Sequence, residues 1–592
     1  MNFKRQIEYL RPYLRPYKFQ VSLSLFFVLI STALDQASPW IIKLIVDLLT
    51  QSEQLDGQVQ SQVYEYLYLL AGLSVLAAIL LFFQRYLLIT SSRKVEYSLR
   101  KNLFEKLQIQ NRDFFDKNPT GDLMSRSTND LDHVRDLVGP VILHIARMGL
   151  LLIYTGICLY LISPKIALVG LGFSLLLPLI SMKFLKFLYK THSTNQKFLA
   201  KLNTFLHESI SGISIIKAHV IEPLFIKKFT ERSEEFKQTS KKVAYTNSFI
   251  WPIIAVVSGL GICASLLLGS YLVQQGEMTI GDLSAAILYL VKVQFPLVGL
   301  GWVISLTQRG RASLDRIIEL EDAMQTQEEY EYGAHFNDTF DQLELKDMSL
   351  TLSEVKVLDS INLTIKRGQS LGIVGATGSG KTLLSQVIAG IYPSSQGEVK
   401  LNQTPIISFN KLSYKRLFSI APQDGFLFSD SIYNNIILGS QNTDSPTLDA
   451  EVQQAVEIAD FTKDLPSIPN RLEARLGEKG INLSGGQKQR VGLSRALIAN
   501  KEILILDDTL SALDTETEAQ VLKNLTSQIK DLTSIVISHR YSSVSELDHI
   551  IVLDEGKIVE QGNHKQLLAL QGLYWNTWEK QQITTHLAVD DV

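Results

Sequence analysis

A glycine-rich segment directly after the apolar run Ser370–Val374 ends in a lysine and a threonine. Its pattern is Gly-x-x-x-x-Gly-Lys-Thr. The glycines let the backbone wrap closely, so that successive N–H groups face phosphates, while the lysine reaches the terminal phosphates and the threonine offers a hydroxyl to Mg²⁺. The pattern therefore predicts a phosphate-binding loop made of Gly375, Ala376, Thr377, Gly378, Ser379, Gly380, Lys381 and Thr382.

Two adjacent carboxylates follow a second apolar run, Ile503–Leu506. Without other motifs, two adjacent carboxylates at the end of a strand would more often cap a helix. Together with a phosphate loop, however, Asp507 is expected to hold Mg²⁺ through water and Asp508 to orient the attacking water as a general base.

A third motif is Leu-Ser-Gly-Gly-Gln, which opens a predicted helix. A helix N-terminus with free N–H groups suits an anion, and a γ-phosphate held by another molecule is the candidate. Alone, the motif could be a simple helix cap. Its position between the phosphate loop and the acidic strand favours phosphate contacts by Ser484, Gly485, Gly486 and Gln487.

The composition shows where these elements must be placed. The chain has 592 residues, of which 46% are hydrophobic and only 20% charged. The length corresponds to about four domain-sized units. A net charge of −3 gives no indication of a nucleic-acid-binding protein, and two cysteines exclude a disulfide framework.

The hydrophobic excess lies in the first half, in six runs long enough to cross a bilayer, which takes about 20 helical residues. The first run could instead belong to a cleaved signal peptide, but five more runs follow it. A short helix at the membrane interface is expected before it. The runs are Val21–Leu49, Tyr64–Ile89, Leu137–Ile162, Ile166–Leu188, Ser248–Val273 and Ile280–Leu306.

Lysine and arginine are distributed unevenly between the runs. Gln51–Val63 and Gln274–Thr279 contain neither residue, whereas Ser91–Asp136 and Lys190–Asn247 are rich in both. Because basic loops stay in the cytoplasm, the pattern predicts that both termini are cytoplasmic. We expect the membrane to be a plasma or inner membrane.

Short strand-like runs alternate with helical stretches from about Asp341. The expected fold class is an all-α six-helix transmembrane domain followed by an α/β P-loop NTPase domain. The expected boundaries are 1–310 for the membrane domain, 311–340 for a linker, 341–580 for the nucleotide-binding domain and 581–592 for a tail.

In order and spacing, these motifs resemble those of an ATP-binding cassette (ABC) transporter of the exporter type. Leu483–Gln487 is similar to the family's signature motif. The resemblance implies that Gln423 is the Q-loop glutamine, Asp514 the D-loop aspartate and His539 the switch histidine that senses the γ-phosphate. It also implies ATP and Mg²⁺ as cofactors, with Thr382, Gln423 and Asp507 as metal ligands. Loops that resemble coupling segments lie at Phe114–Asp116, Thr120–Arg126 and Glu208–Ile213.

Three positions depart from the family pattern. The general base is usually Glu, but here it is Asp508, whose carboxylate is one methylene shorter. The aromatic residue expected to stack on adenine near Leu350 to Leu352 is missing. Gly477–Gly480 resembles the X-loop of the exporters, and this loop begins with Ala474 and Arg475 where the family more often has threonine and an aliphatic residue. A misplacement of about 1 Å lowers a rate on the order of 10²-fold, so slow hydrolysis is expected at this Walker site.

The departures affect the half of an ATP site that contains the phosphate loop and Asp508, whereas the half that contains the signature motif is intact. This combination resembles one subunit of a heterodimeric exporter with one degenerate ATP site. The expected function is ATP-driven export or flipping of a hydrophobic or amphiphilic drug or lipid, with a second half-transporter as partner and no nucleic acid. A homodimeric lipid flippase with slow sites, a nucleotide-gated channel or regulatory subunit, and import remain alternatives. A soluble cassette ATPase acting on DNA or ribosomes is excluded by the six runs.

Overall fold

The computed structural model describes residues 3–51, 56–326, 330–336, 338–352, 354–511, 515–528 and 532–590. The chain forms two compact units. The first comprises Met1–Leu107 and Thr120–Ala323, and the second comprises Gln108–Pro119 and Met324–Val592.

The first unit is helical. Its helices, together with α4 of the second unit, are α1 (Phe3–Leu14), α2 (Lys18–Gln51), α3 (Gly57–Gln108), α4 (Arg112–Lys117), α5 (Thr120–Ser125), α6 (Leu131–Asp136), α7 (Ile142–Ile162), α8 (Pro164–Ser211), α9 (Ile213–Ala218), α10 (Glu222–Gln274) and α11 (Ile280–Asp322).

Six of the described helices, α2, α3, α7, α8, α10 and α11, have 21 residues or more. The expected six-helix arrangement is thereby confirmed. By length and composition, five helical stretches of the described chain are apolar enough to cross a membrane, and α8 adds the shorter apolar stretch Pro164–Ile180. The five stretches are Phe3–Gln51, Gly57–Gln108, Thr120–Ile162, Glu222–Gln274 and Ile280–Asp322.

Polar side chains join these helices where their surfaces meet. The Ser31 hydroxyl donates to Oε1 of Gln84 at 2.9 Å, and the Ser24 hydroxyl donates to the Gln84 carbonyl at 2.7 Å. Both bonds link α2 to α3 in buried surroundings. Because a buried polar group is stable only when it is hydrogen-bonded, these pairs restrict how the two helices can pack.

A proline interrupts the hydrogen bonding of α2. Pro39 has no N–H, so the Asp35 carbonyl loses its usual partner within the helix. The Lys292 ammonium of α11 donates to that carbonyl at 2.5 Å, to the Asp35 carboxylate at 3.1 Å and to the Ser38 hydroxyl at 2.8 Å. The lysine thus restores the bond that the proline removes and ties α11 to α2.

The second unit contains a mainly parallel sheet and an antiparallel sheet. The six-stranded sheet has the order β10-β9-β3-β8-β7-β6, and the four-stranded sheet has the order β2-β1-β4-β5. The strands are β1 (Gln342–Leu352), β2 (Val355–Lys366), β3 (Ser370–Gly375), β4 (Gln396–Leu401), β5 (Thr404–Pro405), β6 (Phe418–Ala421), β7 (Ile503–Asp507), β8 (Thr533–Ile537), β9 (His549–Asp554) and β10 (Lys557–Gly562).

Helices cover these sheets. They are α12 (Lys381–Ile388), α13 (Lys411–Lys415), α14 (Ile432–Ile437), α15 (Leu448–Ile458), α16 (Gly485–Ile498), α17 (Thr515–Gln528), α18 (His564–Leu570) and α19 (Leu573–Asp590). One apolar core joins the two sheets and α12, and another lies between the parallel strands and α16 and α17. The expected α/β domain is confirmed.

Parallel strands bring the predicted site to one edge. β3 pairs with β8, and β7 pairs with β8, all in the same direction. Their last residues are Gly375, Ile537 and Asp507. Because ligands of open α/β sheets bind at the carboxyl ends of the strands, this edge is the place to look for a site.

A short segment of the first half belongs to the second unit. This segment is Gln108–Pro119. Its Asp116 carboxylate, at the end of α4, accepts a hydrogen bond from the Tyr392 hydroxyl of the same unit. The Gln325 backbone N–H donates to Oε1 of Gln110 at 2.8 Å, and Asn111 donates to the Gln325 side chain at 3.2 Å. Burial and the carboxylate both raise the pKa of Tyr392, so it stays a hydrogen-bond donor at neutral pH.

Candidate nucleotide-binding site

The phosphate loop connects β3 to α12 with three glycines at positive φ. Gly375, Gly378 and Gly380 have φ angles of 150°, 86° and 100°. A Cβ on Gly375 would lie 2.1 Å from the Leu553 carbonyl oxygen, whereas a Cβ on Gly378 would meet nothing within 4 Å. The first glycine is therefore required by backbone packing, and the second leaves open space at the mouth of the loop.

Lys381 lies across the loop that precedes it. Its ammonium donates to the carbonyls of Gly375 at 2.9 Å and Ala376 at 2.8 Å. Burial lowers the lysine's pKa, and the nearby Asp508 and Asp507 carboxylates oppose that shift. The buried Ser379 hydroxyl has no hydrogen-bond partner among the described residues. Donors thus remain available around the loop.

A hydroxyl and a carboxylate meet beside the loop. The Thr382 hydroxyl donates to Oδ1 of Asp507 at 2.9 Å. Burial raises the pKa of Asp507, the neighbouring Asp508 raises it further, and Thr382 and Lys381 lower it. Hard cations such as Mg²⁺ prefer oxygen ligands, so this donor set fits a magnesium ion next to phosphates.

Asp508 joins the other predicted catalytic and sensing residues. Its carboxylate lies 2.7 Å from Nδ1 of His539 and accepts a bond of 3.4 Å from Nε2 of Gln423. Its backbone has a φ of 47°, and its N–H donates to the Ile537 carbonyl at 2.9 Å. His539 and Gln423 therefore both contact the Asp508 carboxylate.

These groups line a cleft of about 430 Å³. Sequence reasoning missed three apolar wall residues, Val357, Leu383 and Ile537, because an aliphatic residue in a strand or a helix carries no motif. The predicted residues in the lining are Thr377, Gly378, Gly380, Lys381, Thr382, Gln423, Asp507, Asp508 and His539.

The strand positions where an aromatic residue was expected contain leucines that pack into the core. Leu350 is buried in the apolar core that joins the two sheets and α12, and Leu352 packs against this core. Neither residue lines the cleft among the residues described for it. The cleft has no aromatic surface from this strand on which an adenine could stack.

The signature motif forms the N-terminus of α16. Ser484 is the N-cap, and it forms a reciprocal capping box with Gln487 at 3.2 Å and 3.0 Å. Gly485 and Gly486 are the first residues of the helix. None of these four residues is among those that line the described cleft, so the chain's own signature is not assembled with its own phosphate loop.

Two acidic residues that carry no family motif support the site. Asp464 accepts from the Gln487 amide at 3.2 Å and pairs with Arg490 at 2.7 Å, which holds the start of α16. The buried Glu518 accepts from Arg540 and Ser543 directly after His539. A lone acid in a turn (Asp464) or a helix (Glu518) gives no sequence signal, so neither residue was predicted. Asp514 lies outside the described residues.

A membrane-spanning helical unit and a P-loop nucleotide-binding unit in one chain define a membrane protein powered by a nucleotide. The family model of the ABC transporter transmembrane region matches residues 21–297, and the ABC transporter family model matches residues 358–511. The chain belongs to the ABC transporter family. It is an ATP-binding, multi-pass membrane protein whose ATPase activity is coupled to export, and exporters of this family work as dimers.

Similar proteins include exporters that are named for different substrates. The chain is 36% identical to the probable multidrug resistance ABC transporter YheI of Bacillus subtilis, over 86% of each chain. It is 31% identical to an ATP-dependent lipid A-core flippase of Syntrophus aciditrophicus, over 84% of this chain and 82% of the flippase. A solved bacterial Atm1-family ABC exporter with ATP bound has the same fold, with a TM-score of 0.79 at 22% identity over 96% and 99% of the two chains.

Proposed function

We propose that the chain is one half of a heterodimeric exporter that moves a hydrophobic or amphiphilic drug or lipid across the cell membrane. The observation that carries the heterodimer is the short base Asp508 in a cleft whose chain has an intact signature motif. The need for a second chain follows from the separation of Ser484–Gln487 from the cleft that holds Lys381. A complete ATP site then needs the signature of a second chain. The names of the relatives support drug and lipid substrates for this class.

ATP and Mg²⁺ fit the residues of the cleft. Gly375–Thr382 would surround the phosphates, and Thr382, Asp507 and Gln423 would hold the metal. Mg²⁺ supplies charge neutralisation on the phosphate oxygens when bound. Lys381 would turn from the loop carbonyls of Gly375 and Ala376 to the terminal phosphates.

Asp508 is proposed as a weak base. The carboxylate is one methylene shorter than Glu and is already bonded to His539 and Gln423. The attacking water would have to lie nearer the end of β7 for Asp508 to remove its proton. A displacement of about 1 Å lowers the rate of hydrolysis on the order of 10²-fold. The missing aromatic at Leu352 weakens adenine binding at the same site.

The partner is proposed to carry Glu at the base position. In that arrangement Ser484 and Gly486 of this chain complete the partner's competent site, while the partner's signature completes the slow one. ATP binding would close the two nucleotide-binding domains and turn the membrane cavity outward, and hydrolysis would reset it. Both termini are proposed to be cytoplasmic, because loops rich in lysine and arginine generally stay in the cytoplasm.

A homodimeric flippase with two slow sites is the second candidate, since Asp can still act as a base. A nucleotide-gated channel or regulatory subunit would also tolerate a weak hydrolytic site. Transport measurements separate a pump from a channel. Uphill flux in inverted vesicles requires a pump, whereas a channel gives only downhill flux.

The experiment that tests export follows a fluorescent amphiphilic dye in inverted vesicles that contain the chain with its partner. We expect ATP-dependent accumulation against the gradient and its loss in Lys381→Ala. Dye movement that Lys381→Ala leaves unchanged, or that only runs down the gradient, would contradict the proposed function.

A further inference from the structure

A cavity of about 380 Å³ lies among α2, α3, α7 and α11 in the first unit. No residue named in its lining, within the described chain, has a charged side chain. Aromatic walls come from Trp40, Tyr154 and Tyr289, and the thiol of Cys158 also reaches the lining. Mainly apolar walls with a few polar groups, in a volume of this size, are typical of a small-molecule site. We call it the Gln36 cavity, after the amide in its lining.

Gln36 carries an unused hydrogen-bond donor. The side chain is only 3% exposed. Its Oε1 accepts from the Thr155 hydroxyl at 3.2 Å, and its backbone carbonyl accepts from the Tyr289 hydroxyl at 2.8 Å. Its amide nitrogen Nε2 has no hydrogen-bond partner among the described residues. A buried donor without an acceptor is unfavourable, and an oxygen on a bound molecule would satisfy it.

The charged groups near this cavity are paired or line a different space. Lys43, whose ammonium lies 4.8 Å from the centre of the Trp40 ring, is paired with Asp282 at 2.6 Å. Asp35 and Arg147 line a neighbouring space of about 250 Å³ on another face of α2. Asp35 is also tied to Lys292 at 3.1 Å. A charged molecule in the Gln36 cavity would therefore lose its water without gaining a counter-ion, which is strongly unfavourable.

We propose that the Gln36 cavity binds an uncharged, largely apolar molecule with one hydrogen-bond acceptor, which accepts from the Gln36 amide. The inference rests on the proposed export function, because it names the class of substrate that the membrane unit takes. It excludes both a charged amphiphile and a plain hydrocarbon chain as the preferred occupant.

The two cysteines of the chain provide the test. Cys158 lines the cavity, and Cys263 is exposed and lies outside its lining. The full-length chain with its partner, in lipid nanodiscs without nucleotide, is treated with N-ethylmaleimide, and labelling of each cysteine is followed by mass spectrometry. Benzophenone and diphenylmethane are the competing probes, since they have nearly the same shape but only benzophenone has a carbonyl acceptor.

We expect benzophenone to slow labelling of Cys158 and to leave Cys263 unaffected. Its half-protecting concentration should be about fivefold lower than that of diphenylmethane, the value of one additional hydrogen bond. Gln36→Leu should remove this preference, whereas Gln294→Leu, the same change on α11 outside the lining, should keep it.

Equal protection by the two probes would overturn the proposal, because a groove for lipid chains does not distinguish them. Protection by the anion 4-benzoylbenzoate at the same concentration as benzophenone would overturn it as well. The wild-type comparison is decisive even if a variant does not fold. Because binding is measured without ATP, dye transport that Lys381→Ala leaves unchanged, together with intact protection of Cys158, would count against the proposed function and not against the cavity.

Discussion

Asp508 is the residue on which the proposed behaviour of the nucleotide site depends. Its carboxylate lies beside both the histidine and the glutamine that the family resemblance assigns to γ-phosphate sensing and metal binding. The side chain is therefore held at the strand end, next to Asp507. A longer acid would reach farther into the cleft from the same backbone position.

We expect Asp508→Glu to raise ATP hydrolysis by the chain expressed alone on the order of 10²-fold, because the added methylene moves the base about 1 Å towards the attacking water. Phosphate release at saturating ATP measures the effect. Asp507→Glu lengthens the neighbouring acid by the same amount and serves as the control, since it should not raise the rate. An unchanged rate in Asp508→Glu would show that the short base is not limiting.

Gly375 tests the backbone of the phosphate loop. Gly375→Ala places a Cβ 2.1 Å from the Leu553 carbonyl at a φ of 150°, so we expect a loss of about 2–4 kcal/mol in the free energy of unfolding. Gly492→Ala in α16 makes the same change where nothing lies within 4 Å and should be neutral or stabilising by about 1 kcal/mol. Thermal unfolding of the full chain measures both. Equal stability of the two variants would contradict the packing argument.

At the scale of elements, sequence patterns predicted the parts of the chain that follow a simple rule. Apolar runs of bilayer length predicted the long helices, and the glycine-rich loop after an apolar run predicted the β3-loop-α12 arrangement. The roles assigned to the site residues remain predictions. Their convergence at one edge follows from the parallel pairing of β3, β7 and β8.

Other features depend on contacts between residues far apart in sequence, which no local pattern encodes. The bond from Lys292 to the Asp35 carbonyl arises only because Pro39 frees that carbonyl in another helix. Nothing in the apolar run that contains Lys292 indicates that this lysine is engaged with α2. Asp464 and Glu518 were missed for the same reason.

The Lys292 contact between α2 and α11 should stabilise the helical unit. Lys292→Met leaves the Asp35 carbonyl and carboxylate without their partner, so we expect a loss of about 1.5–3 kcal/mol in unfolding free energy, the contribution of a hydrogen bond to a charged group. Lys165→Met removes a lysine paired with Glu277 at 2.7 Å, with both side chains more than half exposed, and should change stability by less than about 1 kcal/mol. A thermal midpoint that falls equally in both variants would be inconsistent with this role of Lys292.

The attachment of α4 to the second unit depends on the Tyr392 hydroxyl. We expect Tyr392→Phe to speed amide hydrogen exchange in residues 111–118 about tenfold, because the bond to the Asp116 carboxylate is lost. Tyr433→Phe is the matched control, since Tyr433 donates to the Asp449 carboxylate at 2.6 Å elsewhere in the unit. Exchange in residues 111–118 that responds equally to both variants would disprove the assignment.

At the scale of the whole molecule, the chain contains one phosphate loop and one signature, and the described cleft includes only the first. A cycle of ATP-driven closure therefore requires two chains. If the two ATP sites differ in quality, changes to the two half-sites of this chain should have unequal effects on turnover. A homodimer with identical sites would show no such division.

The most direct measurement is steady-state ATP hydrolysis by the chain purified from its native membrane together with its partner. Asp508→Asn should change turnover little, because its own site contributes little hydrolysis, whereas Ser484→Arg should abolish turnover by blocking the site that the partner's base serves. Brisk hydrolysis by the chain alone that Asp508→Asn eliminates would contradict the account.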